Sequence, residues 1–156
     1  MTYPEHPIVI VADPGREREA MTRLGRIGFD HVVGYLADGM LSVQARPELT
    51  VATERISAPV AAERLASPAP PVLVDVRAPG EHAAKAIAGG VSVPLSQFVA
   101  RMNELPRDRP LLVHCAGGYR SSLAVSLLQR AGFSRVSELA GGVGAWETAG
   151  LPLTAA

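Results

Sequence analysis

Cysteine is nearly absent: Cys115 is the only one among 156 residues. An internal disulfide is therefore excluded, and oxidation cannot staple the fold. Aromatic residues make up only 4% of the chain, so a core must rest on Ala, Val and Leu, and the 47% apolar content is enough for a compact α/β domain. Net charge is missing too, with 15 Lys and Arg against 15 Asp and Glu. That balance leaves no electrostatic footprint for nucleic acid or an anionic membrane. No apolar run approaches the ~20 residues of a membrane span. The first residues, Met1 to Pro7, lack a basic start and a long apolar region, so no signal peptide is expected and a cytoplasmic location is.

The chemistry gathers around the single thiol. An apolar run, Leu111-Leu112-Val113-His114, ends at Cys115. Ala116, Gly117, Gly118 and Tyr119 follow, then Arg120 and Ser121, and a helical pattern begins. Strand, tight loop, helix is a layout that turns backbone N–H groups into an anion cradle, backed by the positive end of the helix. A thiol placed there loses its proton readily, and the thiolate can act as a nucleophile that carries a covalent group. Small residues let the backbone approach an anion closely.

These residues resemble the active-site loop of rhodanese sulfurtransferases, in which a cysteine opens a six-residue loop closed by arginine, here Cys115 to Arg120. The resemblance extends in order from about residue 50 to 152. Val72-Leu73-Val74-Asp75-Val76-Arg77 is similar to the family's strand ending in Asp-Val-Arg, and Pro79-Gly80-Glu81-His82 to its Glu-aromatic pair. Gly132-Phe133, Gly141-Gly142-Val143-Gly144-Ala145-Trp146 and Ala149-Gly150-Leu151-Pro152 are similar to its C-terminal signature. The resemblance implies that Cys115 is the nucleophile and carries a persulfide. The amides of Ala116, Gly117, Gly118, Tyr119, Arg120 and Ser121 would stabilise its outer sulfur, and Arg120 would bind the incoming anion or fix the loop. Asp75 and Arg77 are implied as support that ties loops together, with Glu81 expected to pair with Arg77. His114, next to Cys115 on the strand, points to the opposite face and reads as a packed core histidine rather than a general base. Tyr119 is expected at the pocket rim and Trp146 in the core. One departure stands out. Lys85-Ala86-Ile87-Ala88-Gly89-Gly90 replaces the family's Gly-His-Ile-Pro-Gly-Ala, which bears on substrate preference without removing the nucleophile.

Loop length separates two chemistries. Tyrosine phosphatases use Cys-x5-Arg, wide enough for a tetrahedral phosphoryl group, whereas the spacing here is Cys-x4-Arg. The tighter cradle favours a single sulfur atom on cysteine. The expected partners are a small anionic sulfur donor, thiosulfate or a low-molecular-weight persulfide, and an external thiol or cyanide acceptor, because the chain has no second cysteine to resolve the persulfide. No metal or other cofactor is expected. The competing reading is a non-enzymatic module kept for protein contacts.

The chain also echoes itself. Residues 7–40 run Pro-Ile-Val-Ile-Val-Ala-Asp-Pro-Gly-Arg, a helical stretch, Gly28-Phe29, Val32-Val33 and Asp38-Gly39-Met40. Residues 110–143 run Pro-Leu-Leu-Val-His-Cys-Ala-Gly-Gly-Tyr-Arg, a helical stretch, Gly132-Phe133, Val136 and Gly141-Gly142-Val143. Residues 1–41 are therefore read as the back half of a second, degenerate copy. Ala12 or Asp13 falls in the place of Cys115, Pro14 removes an amide donor, and Arg16 stands at the place of Arg120. Proteins that join a metallo-β-lactamase domain, a degenerate rhodanese domain and an active one are similar in layout. The chain is expected to be the C-terminal part of such a fusion, although it contains no His-x-His-x-Asp-His metal motif itself.

The expected fold class is α/β, with a parallel central sheet covered by helices on both faces and preceded by the degenerate half. Residues 42–57 read as a linker and first strand, with Leu49 to Thr53 as that strand, and residues 58–156 as the catalytic domain. Pro59 to Leu65 reads as a helix ended by Ser67 to Pro71. Val72 to Val76, Val91 to Pro94 and Leu111 to His114 read as strands. A short helix is expected near Pro79 to Lys85, and another after Ser96 as cap, running to about Leu105. The helix after Arg120 is expected to bury Leu123, Leu127 and Leu128. Arg135-Val136 opens the last strand and Val143 to Thr148 forms the last helix.

Overall fold

A computed structural model describes residues 5–44 and 46–155. Of the N-terminal residues read for a leader, 1–4 lie outside the described residues. The chain divides between Ala52 and Thr53, inside the segment expected as a linker.

The second unit carries a five-stranded, wholly parallel sheet in the order β3-β7-β6-β4-β5. Its strands are β3 (Glu54–Ile56), β4 (Val72–Asp75), β5 (Val91–Ser92), β6 (Leu111–His114) and β7 (Val136–Leu139). Its helices are α3 (Ala58–Leu65), α4 (Pro79–Ala84), α5 (Phe98–Arg101), α6 (Tyr119–Arg130) and α7 (Gly142–Thr148). The apolar strands need cover on both faces and receive it. Val74, Leu111 and Val113 face Phe98 of α5 and Ala124, Val125 and Leu128 of α6. Leu73 and Leu112, one residue out of phase, face Ala58 and Ala61 of α3 and Val143 and Trp146 of α7. β6 lies between β4 and β7, so the segment leaving its C-terminal end emerges at the middle of the sheet edge, where open α/β sheets place their sites. No helix among the described residues is long and apolar enough to cross a membrane.

Three expected elements differ. Leu49 to Thr53 is not a strand: Pro47–Leu49 forms a 3₁₀ turn, and the strand lies at Glu54–Ile56, where Ile56 enters the core and pairs with Leu139. Leu49 and Val51 stay in solvent, so β-branched composition alone misplaced the register. Ser96 does not cap the helix, because Leu95–Gln97 is a 3₁₀ turn and the helix opens at Phe98, which is fully buried. In α6 the buried face is Ser121, Ala124, Val125 and Leu128, while Leu123 is 46% exposed. The i, i+3, i+4, i+7 stripe thus runs through a serine that the apolar pattern passes over.

The first unit contains β1 (Ile8–Ile10), α1 (Glu17–Gly25), β2 (Val32–Tyr35), α2 (Leu41–Gln44) and the Pro47–Leu49 turn. β1 and β2 pair in parallel as a two-stranded sheet. Ile10 is its buried hydrophobic residue, and Val9, Val11, Val33 and Tyr35 are exposed.

Candidate active site

β6 delivers Cys115 into a loop that is short because α6 starts early. The helix begins at Tyr119, with Gly118 as its N-cap at φ 108°, so Tyr119, Arg120 and Ser121 form its first turn rather than the loop before it. The loop is clamped from beneath by α7. The amides of Val143 and Gly144 donate to the carbonyls of Cys115 (2.9 Å) and Ala116 (3.0 Å). Gly142, at φ 57°, makes that approach possible: a β-carbon there would lie 2.2 Å from the Cys115 carbonyl oxygen.

Cys115 is 1% exposed. The Gly118 N–H donates to its Sγ at 3.1 Å, and the Ser121 hydroxyl oxygen lies 3.4 Å away. Burial pushes the thiol pKa up. The Ser121 side chain and the amides of Ser121, Gly118 and Gly117 outweigh burial and hold it below the ordinary thiol value. Ala116, Gly117 and Tyr119 form the exposed rim, with Tyr119 81% exposed, while Gly118 and Ser121 are buried.

Arg120 is bidentate to Glu81 of α4, Nη1 to Oε2 at 2.6 Å and Nη2 to Oε1 at 2.8 Å. Glu81, expected to meet Arg77, takes Arg120 instead, and its carboxylate also accepts the Ala78 N–H at the start of α4. The Arg120 guanidinium draws the Glu81 pKa down to about 2. Glu81 in turn raises that of Arg120, with Cys115 adding to the same pull.

Arg77 is committed to Asp75. Both are buried, and Asp75 accepts the Arg77 N–H (3.0 Å), Nε (2.9 Å) and Nη2 (2.5 Å). Arg77 Nη2 also donates to the Lys85 carbonyl at 2.6 Å, and His82 Nδ1 lies 2.9 Å from Asp75 Oδ2. These two residues therefore tie β4 to α4 and to the divergent Lys85 turn. Burial works against the Asp75 carboxylate, but Arg77, His114 and His82 hold its pKa at about 2. His114 is fully buried on the Asp75 side of the sheet, its Nε2 3.9 Å from Asp75 Oδ2. Burial lowers its pKa against the pull of Asp75, and its ring is packed within the sheet. Trp146 is buried, with Nε1 donating to the Pro152 carbonyl at 2.9 Å.

Sequence reasoning missed Glu138. It sits on β7, 2% exposed, and its Oε1 accepts the Ser121 hydroxyl at 2.6 Å. Its Oε2 accepts Arg55 Nε of β3 at 2.9 Å. A charged residue between the apolar ends of the last strand, Val136 and Leu139, was the available signal.

A family model described as a rhodanese-like domain matches residues 57–149. A sulfurtransferase from Allochromatium vinosum is 39% identical over 93 residues, covering 60% of this chain and 87% of that protein. A rhodanese-related protein from Thermoplasma volcanium superposes with a TM-score of 0.61 at 29% identity, covering 66% of this chain and 99% of that one. A thiosulfate sulfurtransferase from Pseudomonas aeruginosa superposes with a TM-score of 0.60 at 26% identity, covering 97% of this chain, which spans 33% of that protein.

Proposed function

Because the chain belongs to the rhodanese-like domain family, we propose that it is a sulfurtransferase in which Cys115 carries sulfane sulfur as a persulfide. The observation that carries this reading is the buried thiol of Cys115, held below its ordinary pKa by Ser121 and by the Gly118 amide aimed at Sγ. The thiolate attacks the outer sulfur of a small anionic donor, thiosulfate or a low-molecular-weight persulfide. A sulfur–sulfur bond forms at Sγ, the donor's own bond to that sulfur breaks, and sulfite or a thiolate leaves. An external thiol or cyanide then attacks the outer sulfur and returns Cys115 as thiolate. Turnover in the reduced thiol pool of the cytoplasm would supply that acceptor. The loop amides hold the anionic sulfur, and Arg120, fixed by Glu81, faces the incoming charge.

Residues 1–41 are proposed as a non-catalytic half-copy. Gly39 supports this, since a β-carbon there would lie 2.1 Å from the Ala12 carbonyl oxygen, matching Gly142 against Cys115, and Asp38 and Gly141 are both left-handed. The resemblance in layout to fusions with a persulfide-oxidising metallo-β-lactamase domain suggests such a domain as a partner that would share its persulfide with Cys115.

Intact-mass measurement after incubation with thiosulfate, and separately with glutathione persulfide, tests the assignment. The expected result is a gain of one sulfur atom that Cys115→Ser removes while the protein stays folded. A folded protein with a free thiol that gains nothing from either donor would move the assignment to a non-enzymatic contact module.

A further inference from the structure

The Ser121 hydroxyl has one proton and three acceptors around it. The Gly118 carbonyl lies at 2.9 Å, Cys115 Sγ at 3.4 Å and Glu138 Oε1 at 2.6 Å. A hydroxyl donates once and accepts through its lone pairs. The shortest contact is the charge-assisted one, so the proton points at Glu138. That leaves a Ser121 lone pair for the S–H of Cys115. Cys115, Ser121 and Glu138 thus form a directed chain from thiol to carboxylate, in which all three residues are nearly inaccessible to solvent.

We propose that Glu138 receives, through Ser121, the proton that Cys115 sheds when it becomes a nucleophile. The Cys115 S–H bond breaks, its electron pair stays on sulfur, and the proton bonds to Ser121 Oγ. The original Ser121 proton moves to Glu138 Oε1. One negative charge shifts from carboxylate to thiolate, nothing is oxidised, and no proton leaves the protein. Burial is the reason this matters. Two anions bridged by one buried hydroxyl repel, so a thiolate beside an ionised Glu138 is disfavoured, whereas internal transfer keeps a single charge. The other charged or titratable groups facing the chain are few. Arg55 of β3 binds the second oxygen of Glu138. Arg120 of α6, held by Glu81 of α4, faces Cys115. His114 of β6 places Nδ1 3.4 Å from the Cys115 carbonyl oxygen. Glu138 touches no substrate and is a positioning residue that acts through Ser121.

The inference rests on Cys115 being the nucleophile, and its test needs no sulfur donor, so the two can fail separately. The rate of Cys115 alkylation by iodoacetamide is measured from pH 5 to pH 10 in the full chain. Internal transfer exchanges no proton with solvent, so the wild-type rate should level into a pH-independent shelf below the main thiol ionisation. Glu138→Gln keeps an acceptor for the Ser121 hydroxyl but cannot store a proton. Its rate should keep falling about tenfold per pH unit, with no shelf, and its midpoint should move down because the neighbouring charge is gone. Ser121→Ala should also abolish the shelf, and serves if the Gln variant does not fold. A wild-type profile without a shelf, or a shelf retained in either variant, would overturn the proposal.

Discussion

Arg120 and Glu81 meet through two parallel hydrogen bonds of 2.6 and 2.8 Å, although 39 residues separate them. The pair ties the first turn of α6 to the start of α4, and so fixes the cation beside Cys115 from outside its own loop.

Glu81→Ala should therefore harm sulfur transfer without touching the thiol. Arg120 would keep its charge and lose its bearing. The expected effect is a fall of about tenfold in kcat/KM for an anionic donor, roughly 1.4 kcal/mol of transition-state stabilisation, with little change in melting temperature. Arg120→Lys should fall at least as far, since an ammonium cannot hold the carboxylate bidentately. Steady-state kinetics with thiosulfate decides it; an unchanged KM and kcat in both variants would refute the positioning role.

Gly142→Ala should cost stability as well as activity. The added carbon would meet the Cys115 carbonyl at 2.2 Å and the Ala116 carbonyl at 2.8 Å, in a left-handed backbone. A loss of about 2–4 kcal/mol in denaturant unfolding is expected. Urea titration followed by the fluorescence of Trp146, buried on α7, gives the readout.

Asp75 links stability to acid. Its pKa is about 2 in the fold against 3.8 ordinarily, so the folded state binds the proton less readily than the unfolded one. Its contribution is present above about pH 4 and is lost as pH falls towards 2. Asp75→Asn leaves the Arg77 guanidinium buried without its carboxylate and should cost about 3–5 kcal/mol at neutral pH. The gap between wild type and variant, measured by urea unfolding at several pH values, should narrow from pH 4 downward. A gap that stays constant to pH 2 would contradict the linkage.

Two leucines of α6 should behave oppositely. Leu128 is fully buried against the sheet, and Leu128→Ala should cost about 2–5 kcal/mol. Leu123 is 46% exposed, and Leu123→Ala should stay within about 0.5 kcal/mol. Thermal unfolding of the two variants compares them directly.

The parts of the site that lie close in sequence were legible there. Cys115 to Arg120 is local: a strand end, small residues and a helix start can be read from order and spacing alone. The continuous apolar runs at Val72 and Leu111 carry their own two-sided burial. What escaped depends on contacts across the sheet. Glu138 meets Ser121 only because β7 lies beside β6 and α6 packs over both. Glu81 could be assigned a nearby arginine by sequence distance, but Arg77 is consumed by Asp75, and that competition is decided in three dimensions. The start of β3 escaped for a similar reason, since pairing with β7 rather than β-branched content selects Glu54–Ile56.

Neither Gly39 nor Gly142 leaves room for a β-carbon, which would meet the carbonyl oxygen of Ala12 in one case and of Cys115 in the other. The close approach is to main-chain oxygen and is indifferent to the side chain carried there, so it can persist where a nucleophile is missing. A search of genomes by glycine spacing would gather loops of both kinds. The residue at that carbonyl, alanine or cysteine, together with the loop amides that follow it, separates those able to bear sulfur from those that are not.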